Sequence, residues 1–191
     1  MIIFNYGVMN SAKTVNLICK AYELKQRGFQ YVCFKPSVDT RTEGNIIKSR
    51  AGLEIDAFNI SNTYQLSTKI EECIQDGIKY ILLDEIQFFS KESIDVLVDY
   101  SIMYNLNILC YGLLTDFTVQ LFPASKRLVE VADKLHHIES YCECGNIATI
   151  NARFNKHGHI VVKGNQIEVG AEDKYITLCK RCFVKKTSKS Q

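Results

Sequence analysis

A chain of 191 residues is long enough for one sizeable core, or for one core and a small module. Its 23 basic and 21 acidic residues leave a net charge of +2 and are spread through the chain, which excludes the basic footprint of a general nucleic-acid binder. No apolar run approaches the ~20 residues of a membrane span and no signal-peptide pattern opens the chain, so the expectation is a cytosolic protein, on neither membrane nor nucleic acid.

The chain opens on MIIFNYGVMNSAKT, Met1 to Thr14: a β-branched and aromatic run, a glycine, then helix formers. That order reads as strand, tight loop, helix, the layout of a phosphate-binding loop. Backbone N–H groups and the helix start would face an anion from Gly7 onward, Lys13 would reach the outer phosphates, and Thr14 would ligate Mg²⁺. The motif asks for glycine before the lysine, and this chain has Ala12, whose methyl group resists the backbone angles glycine accepts. The plain alternative is an ordinary strand-to-helix turn.

From Thr14 to Arg27, Val15, Leu17, Ile18, Ala21, Tyr22 and Leu24 recur at helical spacing and stop at Gly28. YVCFKP, Tyr31 to Pro36, is a strand covered on both faces. Strand, helix, strand makes a βαβ unit with the Gly7 loop at the C-terminal edge of a parallel sheet, where ligands bind in such folds. Residues 37 to 59 are irregular and polar and read as one long loop, containing Asp39-Thr40-Arg41 and Ser49-Arg50-Ala51-Gly52. Ser61 to Asp76 is expected to be helical on an Ile70, Cys73, Ile74 stripe.

YILLDEIQFF, Tyr80 to Phe89, reads as a strand ending in two carboxylates, the form of an acidic strand tip that serves Mg²⁺. Strand neighbours point to opposite faces, so Asp84 and Glu85 would divide two tasks, one toward the metal and one as a general base. The plain alternative is two solvated acids. Ser90 to Tyr104 is a helix with Ile94, Leu97, Val98 and Ile102 inward, Leu106 to Leu114 a buried strand, Ser125 to Asp133 a helix, and Leu135 to Tyr141 a last strand. At least five strands alternate with helices. His136 and His137 read as satisfied strand residues.

Of eight cysteines, Cys19, Cys33, Cys73 and Cys110 sit singly in apolar patterns and read as packing. Cys142, Cys144, Cys179 and Cys182 form two pairs, which in a cytosolic chain points to metal rather than disulfides. Four thiolates suit tetrahedral structural Zn²⁺; His157 or His159 as a substitute ligand, and unliganded thiols, stay as alternatives. The expected organisation is therefore an α/β phosphate-loop domain over 1–141 and a zinc-binding domain over 142–191, with KKTSKSQ a solvated tail.

GVMNSAKT, DTR, DEIQFF and a cysteine-paired module with VGAEDKY before its second pair, joined by LCYGLLTDF, ADKL and CGNIAT, stand in one fixed order. Together, over nearly the whole chain, they resemble the thymidine kinase family of the cellular and bacterial type that carries a zinc lasso domain. The resemblance implies a RecA-like P-loop sheet and phosphoryl transfer from ATP to thymidine, giving dTMP in nucleotide salvage. It implies an ATP site at Gly7, Val8, Met9, Asn10, Ser11, Ala12, Lys13 and Thr14, with Asp39, Thr40 and Arg41 near the phosphates and Asp84 and Gln87 on the Mg²⁺ side. Glu85 matches the family's catalytic base. Phe88, Leu113, Phe117, the segment Gln166, Ile167, Glu168, Val169 and Gly170, and Tyr175 match positions enclosing the nucleoside. Cys142, Cys144, Cys179 and Cys182 match the zinc ligands, and the family implies a homotetramer. Val8, Asn10, Ala12 and Leu114 depart from the family's usual residues. Two rivals follow: a homologue that binds nucleoside or nucleotide but has lost turnover through Ala12, and a P-loop ATPase acting on nucleic acid.

Overall fold

The computed structural model describes residues 1–39, 44–164, 166 and 174–188. In chain order the elements are β1 (Ile2–Tyr6), α1 (Lys13–Gln26), β2 (Tyr31–Pro36), β3 (Ile46–Lys48), β4 (Glu54–Asp56), β5 (Phe58–Ile60), α2 (Thr63–Gln75) and β6 (Tyr80–Leu83). A single 3-10 turn, Ile86–Phe88, follows, then α3 (Lys91–Met103), β7 (Asn107–Gly112), α4 (Pro123–Val131), β8 (Lys134–His137), β9 (Ile150–Phe154), β10 (Ile160–Val161), β11 (Lys174–Leu178) and α5 (Lys180–Thr187).

Six strands form one parallel sheet in the order β5-β2-β6-β7-β1-β8. Because strand side chains alternate, each central strand serves two cores. Phe4, Phe34, Leu83 and Cys110 face α2, α3 and α4, meeting Ile70, Leu97 and Leu128. Cys33, Leu82, Leu109 and Tyr111 face the other way, against Leu17, Ile18, Ala21 and Leu24 of α1. Burial pushes the Cys33 thiol up to about 12 and the Cys73 thiol up to about 11, and raises that of Cys110 further, so all three stay protonated, as packing residues should. Cys19 is exposed instead, and Tyr22 beside it also faces outward.

The expected long loop at 37 to 59 is corrected by the structure. Its described part holds an antiparallel hairpin, β3 with β4, and an edge strand, β5, pairing with β2. The hairpin buries Ile47 against the α1 core, which is why a polar stretch is ordered at all. The strand expected over Tyr80 to Phe89 ends at Leu83, and Asp84 and Glu85 lie in the turn beyond it. On α3, Ile94 and Leu97 are buried but Ile102 is 75% exposed, since the helix rotates it past the core edge. Asn62 caps α2 through Gln65 N at 2.9 Å and Ser90 caps α3 through Ser93 N at 3.1 Å.

After β8 the chain forms a small three-stranded sheet, β10-β9-β11, closed by α5. His136 Nδ1 lies 3.0 Å from Asn5 Oδ1, which satisfies it, and His137 stacks on Tyr6 at 5.1 Å, so both rings are engaged by β1. Among the described residues no helix is long and apolar enough to cross a membrane.

Candidate active site and metal centre

At the C-terminal edge of the sheet lies a cleft of about 680 Å³, the size of a small-molecule site. One wall is the loop between β1 and α1. Gly7 N donates to Gly112 O at 3.3 Å and Ser11 N to Val8 O at 3.3 Å, which folds the loop back on itself. A Cβ at Gly7 would come within 2.5 Å of the Ile138 carbonyl, so only glycine fits there. Asn10 and Ala12 both take left-handed backbone angles, φ 62° and 61°. Ala12 is the N-cap of α1 and offers no side-chain cap, unlike Asn62 and Ser90, so the first N–H groups of α1 are left for an anion. The Lys13 ammonium is buried in this loop, donating to Val8 O at 2.6 Å and Ser11 Oγ at 3.4 Å.

Behind the loop, Thr14 Oγ1 donates to Asp84 Oδ2 at 3.0 Å, and Asp84 N is held by Phe34 O at 3.0 Å. A hydroxyl and a buried carboxylate side by side are hard oxygen donors of the kind Mg²⁺ takes, so this pair fits that ion. Glu85 turns the other way. Its left-handed backbone, φ 49°, breaks strand alternation and points the carboxylate into the cleft, 8% exposed. Gln87 holds it there: its Nε2 donates to Glu85 Oε2, while its Oε1 accepts from Leu113 N at 2.9 Å. The two carboxylates thus diverge through a turn and not through strand alternation.

The opposite wall is aromatic. Phe88 packs edge-on to Phe122 at 6.3 Å, Phe117 lies under the Arg153 guanidinium at 4.9 Å, and Leu113 and Tyr175 complete it. Gln166 reaches across to donate to Leu121 O at 3.3 Å. Residues Met9 to Thr14, Asp39, Glu85, Gln87, Phe88, Leu113, Phe117, Gln166 and Tyr175 therefore line one space. Gly7 and Asp84 support it from beneath, and Val8 faces the cysteine module. Thr40, Arg41, Ile167, Glu168, Val169 and Gly170 lie outside the described residues.

Sequence reasoning missed Gly112 and Asn151, and named Arg50 only as part of the 37 to 59 loop, without a role; the structure places Arg50 at the cleft. A Cβ at Gly112 would meet Gln87 Oε1 at 2.5 Å and Ile86 Cγ2 at 2.7 Å, so the glycine makes room for the tie that holds Glu85. Gly112→Ala is expected to cost about 2 kcal/mol through overpacking, lowering the melting temperature by roughly 4–8 °C in a thermal scan. Asn151 on β9, 4% exposed, accepts from Met9 N at 2.7 Å and donates to Thr115 O at 3.4 Å, pinning the loop to the module that follows. A lone glycine closing a strand and a lone asparagine within one carry no sequence signal of such contacts.

The sulfurs of Cys142, Cys144, Cys179 and Cys182 all lie within 4.8 Å of one another, and Cys144 and Cys179 are 3.6 Å apart. Zn–S bonds of ~2.3 Å in a tetrahedron separate sulfurs by ~3.8 Å, so the set fits Zn²⁺. Hydrogen bonding from Asn146 and then Cys182 pulls the Cys144 thiol down to about 6, and the bond to Cys144 pushes Cys182 up to about 12. Clustered sulfurs that share protons this way need a cation to hold them all as thiolates. His157 and His159 stand apart: their backbone N–H groups close a turn on Asn155 Oδ1.

The family model described as Thymidine kinase matches residues 1–183. The chain is 39% identical over 184 residues to a thymidine kinase of Zymomonas mobilis, covering 96% of this chain and 95% of that one. It is 36% identical to one from Legionella pneumophila, covering 93% and 86%, and 35% identical to one from Agrobacterium fabrum, covering 95% and 94%.

Proposed function

We propose a reaction on the premise that this chain belongs to the thymidine kinase family. The reaction is transfer of the γ-phosphoryl group of ATP to the 5′-hydroxyl of thymidine. The observation that carries it is Glu85, a buried carboxylate aimed into the cleft between the phosphate loop and the aromatic wall. ATP would place its phosphates along Ser11 to Thr14, with Lys13 leaving Val8 O for their outer oxygens. Thr14 and Asp84 would hold Mg²⁺, which supplies charge neutralisation on the β- and γ-phosphates. Phe88, Leu113, Phe117 and Tyr175 would enclose the thymine, stacking or edge-on. Asp39, Thr40 and Arg41 belong near the phosphates and Gln166 to Gly170 over the base in the same proposal.

The Glu85 carboxylate would take the 5′-hydroxyl proton as the O5′–Pγ bond forms and the bond from Pγ to the β-phosphate oxygen breaks, leaving ADP. Little covalent help is needed; alignment and charge neutralisation lower the barrier. Residues 1–141 would act as the ATP-binding domain and 142–191 as the zinc-binding lasso, working as a cytoplasmic homotetramer. Exposed Tyr64, Ile102 and Met103 on α2 and α3 support an assembly, which light scattering would size.

The direct test is thymidine-dependent ADP production from Mg·ATP by the zinc-loaded protein. No ADP above a thymidine-free control would refute the reading. No observation favours the binding-only rival, because the loop keeps its shape with Ala12 at φ 61° and still directs Lys13 and Thr14 inward. The methyl group costs about 1 kcal/mol of left-handed strain. Ala12→Gly should therefore raise the melting temperature by about 2–4 °C and retain thymidine turnover.

A further inference from the structure

We propose that Arg50 is a phosphate-binding residue of the nucleotide cleft, presented by the β3–β4 turn and exchanging its bond to Asn10 for one to a nucleotide phosphate. This rests on reading the cleft as an ATP site.

The turn that carries Arg50 is built to be rigid. Ser49 N donates to Leu53 O at 2.8 Å, Gly52 N to Ser49 O at 3.0 Å, and Leu53 N to Ser49 Oγ at 3.1 Å. Ser49 is 5% exposed, and Ile47 two residues earlier is packed into the core under α1. The hairpin thus stands over the same helix whose uncapped start faces the cleft. From there Arg50 Nη1 donates to Asn10 Oδ1, a side chain of the phosphate loop itself, and both residues line the cleft with Lys13.

The charges beside it are unequal. Lys48, on the same hairpin, is paired with Glu54 at 3.3 Å. Arg50 makes no ion pair among the described residues, and its partner is a neutral amide. The Asn10 amide offers the guanidinium a single neutral oxygen, whereas a phosphate offers ionised oxygens that match two N–H groups of its fork at once. Exchange of the Asn10 amide for a phosphate is therefore favourable. The Lys13 ammonium approaches from within the loop and Arg50 from above it, so the two would grip the polyphosphate from different sides. The Asn10 carboxamide gives the guanidinium a docking point beside the phosphate path.

The test is calorimetric titration of ATP, ADP and adenosine into the full-length, zinc-loaded protein and its Arg50→Ala, Arg50→Gln and Arg50→Lys variants. Arg50→Ala and Arg50→Gln are expected to weaken ATP by about 10- to 100-fold and ADP by less, with adenosine unmoved; Arg50→Lys should recover most of the loss. Arg50→Gln keeps an amide that can still reach Asn10. If Arg50 only clamped the hairpin to the loop, that variant would bind ATP as the wild type does, and the proposal would fall. A loss equal for adenosine and ATP would overturn it too. A wild type that binds ATP no better than adenosine would instead refute the ATP reading of the cleft, and Arg50's role with it.

Discussion

Glu85→Gln should cut thymidine turnover by about 10²- to 10⁴-fold while leaving ATP affinity nearly unchanged. The reason is geometric. Glu85 Oε2 already accepts from Gln87 Nε2, and that amide is fixed at its other end by Leu113 N at 2.9 Å. A glutamine at position 85 keeps the size and the place of the side chain but offers a carboxamide, which cannot accept a proton at neutral pH. The phosphate loop and the Thr14–Asp84 pair lie on the other side of the turn, so nucleotide binding has no reason to change. Single-turnover phosphoryl transfer and ATP titration on the same preparation separate the two quantities. Unchanged turnover would remove Glu85 from the base role, and a parallel loss of ATP affinity would mean that Glu85 shapes the loop rather than the chemistry.

The parts of this site that repeat a local chemical pattern were legible in the residues. MIIFNYG followed by SAKT forces strand, loop and helix by composition, and the structure starts β1 and α1 within one residue of that reading. The paired cysteines signalled a cluster able to hold a metal, and the chain between them folds back so that all four sulfurs lie within 4.8 Å of one another. Residues 46 to 60 were not legible. Their three strands have three residues each, too short for alternation to show, and two of them exist because Ile47 finds a place against α1. Asp84 and Glu85 were assigned opposite directions for the wrong reason: the strand stops at Leu83, and a left-handed Glu85 turns the carboxylate away. No propensity scale anticipates a glutamate with φ 49°, because its side chain is held by Gln87 of the same turn, which in turn is fixed by Leu113 and given room by Gly112 from a distant strand end. The same holds for Ile102, whose helical spacing is right but whose neighbours run out at the end of α3.

Stripping the metal should disable the nucleotide site as well as the module that holds it. Cys142 and Cys179 are buried in a small core with Ala148, Ala152, Ile160 and Leu178, and Val8 of the phosphate loop belongs to that core. One residue on, Met9 N is held by Asn151 of β9 at 2.7 Å. The phosphate loop is therefore propped by the cysteine module along two consecutive residues, one by apolar packing and one by a buried hydrogen bond. Structural zinc sites contribute about 10–16 kcal/mol of apparent binding free energy, which becomes folding free energy for a module this small. Cys179→Ala removes a clustered sulfur and also the N-cap of α5, since Cys182 N donates to Cys179 Sγ at 3.5 Å. That variant, and wild type treated with a strong chelator, should lose bound zinc, melt at least 10 °C lower by order of magnitude, and bind ATP about tenfold more weakly or worse. Chelation should be easier at lower pH, because the ligands bind as thiolates and protons compete for them. Added Zn²⁺ should restore ATP binding in the stripped wild type and leave Cys179→Ala unrestored. If the zinc-free wild type still bound ATP at full strength, the Val8 and Asn151 contacts would be passive neighbours, and the phosphate loop would hold its shape from β1 and α1 alone.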